Sequence, residues 1–323
     1  MPDARALIRQ LEEDGIALLP NLLSGERLRG MQIAFDARLK RPRWNHVDGY
    51  EKTERYRHMV QDVLTLDQGF VDVALHPLVK ETLHGYLGDA FALVEAKGWK
   101  SLPTAKDFHG WHGDAWYDQE RLTTIPREVK LAVYLTDVSS GAFHYAKGTQ
   151  GKEPPRGYRS HEMAGVSDDR VAKMTGPAGT AFLFDTSGIH RQSMPILERR
   201  HAVFLNYHDP SLPLQREDVE YYRYHPLMLN AAYLGGLSAD DARILGFGEK
   251  SQYIHAHERR GGHEGFQHAV RVAFDLKTRI DDFRSRVSAR VRRLAGATAA
   301  RLKHVEPLTT AVAASAVGET HGR

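Results

Sequence analysis

The segment FHGWHGDAWYD contains His112-Gly113-Asp114, an imidazole and a carboxylate one residue apart. On an extended backbone alternate side chains project to one face, so this spacing can aim two metal ligands at one point. Two such ligands and a distant third make the 2-His-1-carboxylate facial triad, which leaves positions on Fe(II) open to other molecules. The candidate third ligand is His190, in GTAFLFDTSGIHR just beyond an apolar run. A second pair of this spacing, His46-Val47-Asp48, lies in the polar stretch PRWNHVDGYEKTER and reads as a surface loop. With 18 histidines in the chain, one chance match of this kind is expected. His109 would need a helix to join His112 as a ligand, which Gly110 opposes, and His208 beside Asp209 reads as structural or as part of a pocket rim.

The absence of cysteine among the 323 residues excludes disulfides, thiolate zinc sites, iron-sulfur clusters and a cysteine nucleophile. Any metal is therefore held by histidine and carboxylate. An apolar fraction of 41% and a charged fraction of 26% fit a globular protein. No stretch approaches the roughly 20 apolar residues of a spanning helix. The opening MPDARALIRQLEED is charged and amphipathic rather than a secretory signal, so a cytoplasmic location is expected. No zinc finger, phosphate loop or nucleophile elbow is found, and no nucleic acid is expected as a partner.

The elements that must position the candidate ligands follow from periodicity. A helix is expected from Ala4 to Glu13, then a short strand in IALLP, a second helix after Ser24 and a third over HPLVKETLHGYL at 76 to 87, with Pro77 in its first turn. Beyond Gly88 the texture changes to short β-like runs at LAVYLT, TAFLF and AVFLNY, separated by Gly-containing turns. Helices followed by many short strands predict a mainly β fold with helical cladding (α+β), an antiparallel barrel or jelly roll.

The order of features after Asp114 resembles the phytanoyl-CoA dioxygenase family of Fe(II)/2-oxoglutarate-dependent oxygenases. A strand ending in Leu135-Thr136-Asp137 is followed by turns at Ser140-Gly141-Ala142 and Lys147-Gly148-Thr149. Gly179 to Phe184 then leads to His190, and Arg200-His201-Ala202-Val203 opens the next strand. Upstream, EEDGIALLPNLLSGERL and HPLVKETLHGYLG are similar to the family's opening, so the likeness spans residues 8 to 208. It implies a double-stranded β-helix, a cupin-like jelly roll. It implies iron on His112, Asp114 and His190, with 2-oxoglutarate and O₂ as co-substrates and a small organic substrate that is hydroxylated or otherwise oxidised at an unactivated C–H bond. Arg200, ten residues past His190, implies the grip on the far carboxylate of 2-oxoglutarate, and Arg's rigid fork suits that task. Arg199 competes for the role, and strand alternation lets only one of the two point inward. Related halogenases replace the carboxylate ligand with Gly or Ala, so Asp114 favours hydroxylation. The chain departs from the family pattern at Lys147-Gly148-Thr149-Gln150, at Gly179-Thr180 and in RQSMPILE after His190, where secondary co-substrate contacts would lie.

Trp99, Trp111 and Trp116 flank the metal motif with Phe108 and Tyr117, and Trp116 and Tyr117 are the candidate substrate contacts. Lys97 and Lys100 read as exposed lysines. The oxygenase domain is expected over 1–265, a basic amphipathic helix over 266–306 and a small-residue, disordered tail over 307–323. From Arg271 to Lys303 the net charge is +7, so the overall +3 leaves about −4 for the rest. Ala273, Leu276, Ile280, Phe283, Val287, Val291 and Leu294 form an apolar stripe at helical spacing. The stripe reads first as the docked face of a helix that clads the barrel and leaves its basic face in solvent, and the arginines around it also suit an anionic membrane surface, an acidic substrate carrier or a partner subunit. Two other readings compete with the oxygenase: a cupin-like metal enzyme that does not use 2-oxoglutarate, which needs no buried Arg200, and a non-catalytic adaptor, which needs no intact triad.

Overall fold

Strands whose residues are apolar at nearly every position must be covered on both faces. Two such runs are β4 (Val129–Tyr134) and β7 (Ala181–Asp185), in which every residue is buried. The computed structural model describes residues 3–23, 25–40, 56–107, 110–152, 167–219, 226–247 and 255–258, with separate positions between 276 and 295. Its contacts divide into a unit over Met1–Val272 and another over Ala273–Arg323.

In the first unit, α1 (Ala4–Asp14) starts at Asp3, whose side chain accepts a hydrogen bond from the Arg5 backbone N–H, and stops at Gly15 with φ of +76°. Next come β1 (Ile16–Leu19), α2 (Gly25–Leu39), β2 (Arg57–Val60), α3 (Gln68–Ala74) and α4 (Pro77–Leu87). The strand-rich part holds β3 (Ala92–Ser101), β4, β5 (Val138–Ala146), β6 (Val171–Gly176), β7, β8 (His190–Gln192) and β9 (Arg200–His208). Smaller elements follow: β10 (Leu227–Asn230), α5 (Ala239–Ile244) and β11 (His255–Glu258). The order β1-β7-β4-β9-β3-β2 makes a six-stranded sheet whose named pairings are all antiparallel, and β6-β5-β8 makes a three-stranded antiparallel sheet.

The large sheet has two buried faces because its strands alternate between two cores. Leu131, Val133, Leu183, Val203 and Leu205 pack with Leu7, Leu11, Phe35, Phe70 and Leu83 of the helices. Ala132, Tyr134, Phe182, Phe184 and Ala202 pack with Phe143 and Tyr145 of the small sheet. The result is a mixed α/β structure in layers of helices, large sheet and small sheet. β3 does not read as a buried strand in sequence, because its second face carries Glu95, Lys97, Trp99 and Ser101.

In the second unit the described positions between 276 and 295 are helical. Leu276, Ile280, Phe283, Val287, Val291 and Leu294 are all exposed there, by 44% at Ile280 and Val287 up to 67% at Phe283. The remainder of 266–306 and all of 307–323 lie outside the described residues, as do Ser24 and the His46–Asp48 pair. Among the described residues no helix is long and apolar enough to cross a membrane.

Candidate active site

Register decides which side chains share the face between the two sheets. In β9, Arg200, Ala202, Phe204, Asn206 and His208 fall on this face, and pairing puts Ser101 beside Arg200, Trp99 beside Ala202, Lys97 beside Phe204 and Glu95 beside Asn206. On the other flank Lys130 pairs with both Asn206 and Phe184. A cavity of about 870 Å³, measured out to its open mouth, lies here, and its lining includes Ser101, Lys130 and Arg200.

His112, Asp114 and His190 meet at this cavity, each offering a ligand atom within 4.8 Å of the others. His190 opens β8, but His112 is not in a strand. It is pinned by a single bridge, His112 N–H donating to the His190 carbonyl at 2.9 Å and His190 N–H donating back at 2.7 Å, while Asp114 N–H donates to Thr186 O at 2.8 Å. The extended geometry expected for His112-Gly113-Asp114 thus comes from tethering to its neighbours rather than from a regular strand.

Both imidazoles are held in the same tautomer. His112 Nδ1 donates to Gly110 O at 3.0 Å and His190 Nδ1 donates to Gly188 O at 2.8 Å, since a carbonyl can only accept. Each Nε2 is then a lone-pair donor available to a metal. Gly188 is required at its place, because a Cβ there would lie 1.8 Å from the Tyr145 hydroxyl. Glycine two residues before each candidate ligand, in Gly110-Trp111-His112 and Gly188-Ile189-His190, is the sequence signal for this arrangement, and the sequence reading missed it.

Charge at the cluster is balanced by a lysine that sequence reasoning also missed. Lys130 Nζ sits 2.5 Å from Asp114 Oδ2. Burial alone would raise the Asp114 carboxyl, but Lys130 and the two imidazoles hold it well below its usual range. Burial also lowers Lys130, and this is outweighed by Asp114 and Glu95, so the ammonium is retained. Burial and the neighbouring His190 lower His112 to about 4, favouring the neutral, ligating form.

The other predicted residues are placed as follows. Arg200 is buried and Arg199 exposed. Arg200 NH1 donates to Gly141 O at 2.7 Å and the guanidinium lies 5.8 Å from the Tyr134 ring centroid. Its Nε has no hydrogen-bond partner among the described residues, and the same holds for Gln192 Nε2 and Ser101 Oγ. All three residues line the cavity. Trp116 lines it as well. Tyr117 is fully buried and is not among the lining residues. Trp99 is in the lining under Arg57, whose guanidinium is 4.2 Å from the ring, and Trp111 stacks on Arg191 at 4.4 Å. Lys97, expected to be exposed, is only 4% exposed and pairs with Glu95 at 2.5 Å. A strand facing two cores can bury an ion pair whose residue types read as surface. Lys100 is half-buried, and Phe108 and His109 lie outside the described residues. His208 is fully buried, 3.8 Å from Glu128. Burial pushes Glu128 up and His208 down to about 4, so both tend to neutrality and serve the interior.

No curated protein is found to match the chain. Among solved structures, EctD from S. alaskensis, with 2-oxoglutarate and 5-hydroxyectoine, is similar in fold at 19% identity and a TM-score of 0.50, covering 66% of this chain and 78% of that one. HygX from Streptomyces hygroscopicus, with nickel and 2-oxoglutarate bound, is 14% identical with a TM-score of 0.49, over 66% of this chain and 89% of that one. The model of the phytanoyl-CoA dioxygenase family matches residues 11–193, more than half of the chain, and this protein belongs to that family.

Proposed function

We propose that the protein is a non-haem Fe(II) oxygenase that uses 2-oxoglutarate and O₂ to oxidise a small organic molecule, with hydroxylation of a C–H bond as the outcome. The observation that carries this reading is one cavity lined both by the His112, Asp114 and His190 cluster and by a buried arginine that lacks a carboxylate partner among the described residues. The donor set fits the metal: two neutral imidazole Nε2 atoms and one carboxylate are the ligands Fe(II) takes in this geometry. The co-substrate fits too, because Arg200 Nε, Gln192 Nε2 and Ser101 Oγ are buried polar atoms with no hydrogen-bond partner among the described residues.

When bound, iron and 2-oxoglutarate supply the activation of O₂ and the oxidising power for a C–H bond. The protein's own groups orient and enclose them. His112 and His190 are held by the Gly110 and Gly188 carbonyls, and Lys130 fixes Asp114. Arg200, aided by Gln192 and Ser101, would take the far carboxylate. Phe143, Phe184 and Phe204 cover the cavity wall and keep water from the centre. We read the two sheets as the layers of a double-stranded β-helix. A cupin-like enzyme without 2-oxoglutarate would have no use for Arg200, and a non-catalytic adaptor none for the assembled cluster. The test is to add Fe(II) and 2-oxoglutarate without O₂, record the charge-transfer absorption, and then admit O₂ and measure succinate. Absence of both signals, or signals unaltered in His190→Ala, would sink the reading.

A further inference from the structure

From His112 to Trp116 the chain runs like a strand that lies outside any regular sheet. Along an extended backbone, alternate N–H groups point to one edge and alternate side chains to one face. His112 N–H donates to His190 O at 2.9 Å, and Asp114 N–H donates to Thr186 O at 2.8 Å. The next N–H on that edge, that of Trp116, donates to a side-chain oxygen, Glu128 Oε2, at 3.1 Å. The same oxygen accepts from Thr186 Oγ1 at 3.4 Å, and Thr186 N–H donates to the Glu128 carbonyl at 2.9 Å. One residue thus holds both neighbours of the carboxylate ligand, the one two places on and the one bonded across from it. The effect is visible in the cavity, whose lining includes His112, Asp114 and Trp116 but not Gly113, Ala115 or Tyr117. Trp116 also packs against Val94 and Leu214. Glu128 is fully buried, and its Oε1 has no hydrogen-bond partner among the described residues. An apolar side chain would fill the same space without burying an unmet oxygen, so packing does not account for a carboxyl here.

We infer that Glu128 is a positioning residue for the metal-bearing segment: its carboxyl stands in for the backbone carbonyl that a neighbouring strand would offer, and so fixes Asp114 toward the metal and Trp116 as the wall beside it. The part of this inference that concerns the metal rests on the oxygenase reading. Glu128 acts through Thr186 and Trp116 and does not itself line the cavity. What it supplies is an acceptor rather than a charge. Burial pushes its carboxyl well above the usual range, which favours the neutral acid. Gln at this position keeps an oxygen that can accept from the Trp116 N–H, whereas Leu removes the acceptor at similar volume.

The tether is made of protein groups alone, so it is tested both without the metal and with it. Glu128→Leu and Glu128→Gln are compared with the unaltered full chain. In the metal-free chain, residue-resolved hydrogen exchange reads the Trp116 amide, which should exchange slowly in the unaltered chain and in Glu128→Gln and about tenfold or more faster in Glu128→Leu. Fe(II) is then titrated without O₂ in the presence of 2-oxoglutarate. Glu128→Leu should bind Fe(II) about tenfold more weakly and shift the charge-transfer maximum, as the loss of a group behind a metal ligand does, and Glu128→Gln should restore both. A residue that only fills the interior would lower the melting temperature in Glu128→Leu and leave the Fe(II) affinity and the band unchanged, and that result overturns the proposal. An unprotected Trp116 amide in the unaltered chain also overturns it, and this measurement stands even if Glu128→Leu does not fold. Loss of Fe(II) in Glu128→Gln as large as in Glu128→Leu overturns it in favour of a charge effect. A Trp116 amide that depends on Glu128 in a chain that takes up no Fe(II) supports the tether and sinks the oxygenase reading instead.

Discussion

At the Arg200 end of the cavity the Arg200 guanidinium is held by the Gly141 carbonyl and a tyrosine ring, and polar atoms of Arg200, Gln192 and Ser101 have no hydrogen-bond partner among the described residues. At the Asn206 end the charges are already matched within the protein, Lys97 on Glu95 and Lys130 on Asp114, and the Asn206 amide has no hydrogen-bond partner among the described residues. The titrating groups show the same contrast. Burial, with Arg57 nearby, lowers Arg200. Burial, with Glu217, Asp114, Asp118 and Glu95 nearby, raises Asp218 to about 7. One end of the site is thus short of negative charge and the other carries it close by. A lone buried cation selects a ligand of fixed charge, which suits a co-substrate that is the same in every turnover.

The largest effect should come from the cluster that the two ends share. His112→Ala, Asp114→Ala and His190→Ala should each abolish 2-oxoglutarate decarboxylation and sharply reduce Fe(II) binding, while His46→Ala and Asp48→Ala should do neither. Metal analysis after desalting checks this, and dependence on the 46 to 48 pair would overturn the assignment. Next in size, Arg200→Ala removes one partner of a buried ion pair, a loss of about 3 to 5 kcal/mol. Affinity for 2-oxoglutarate, followed by its charge-transfer titration, should drop at least about a hundredfold. Gln192→Ala should cost about tenfold, and Arg199→Ala nothing. A large loss in Arg199→Ala instead would move the role by one residue.

A smaller effect sharpens the electrostatic side of the contrast. The folded chain holds the Asp218 proton more tightly than the unfolded chain does, so stability falls as pH rises from the ordinary aspartate range toward 7. Asp218→Asn should therefore leave the melting temperature unchanged at pH 4 and raise it at pH 8, by about 1 kcal/mol of stability after solvent screening. An equal gain at both pH values would remove the negative potential from the argument. The smallest effect concerns the exposed stripe in the second unit. Changing Phe283 and Leu294 to Asp in the full chain should leave decarboxylation intact but weaken low-salt binding to anionic liposomes, where each arginine adds about 1 kcal/mol. If the unaltered chain ignores such liposomes, the lipid reading of the stripe is wrong.

Local chemistry was legible from the amino-acid order alone. Pro77 marks α4, Gly15 ends α1, and the spacing in His112-Gly113-Asp114 suffices to nominate two ligands. Alternation along β9 is enough to make Arg200 and Arg199 face opposite ways, and Arg200 is the buried one. These features depend on neighbours a few residues apart, where backbone geometry ties side-chain direction to position. What only the tertiary structure decided is which distant residues meet. Lys130 reaches Asp114 from sixteen positions away, and Glu95 lies beside Asn206 because β3 and β9 pair in one particular register with a bulge between Leu93 and Glu95. Tyr117, next to the favoured Trp116, is buried outside the cavity lining because the loop after Asp114 is not a regular strand. Glutamate and lysine on a strand look like surface until a second sheet covers them, since burial belongs to the packed layers and not to residue type.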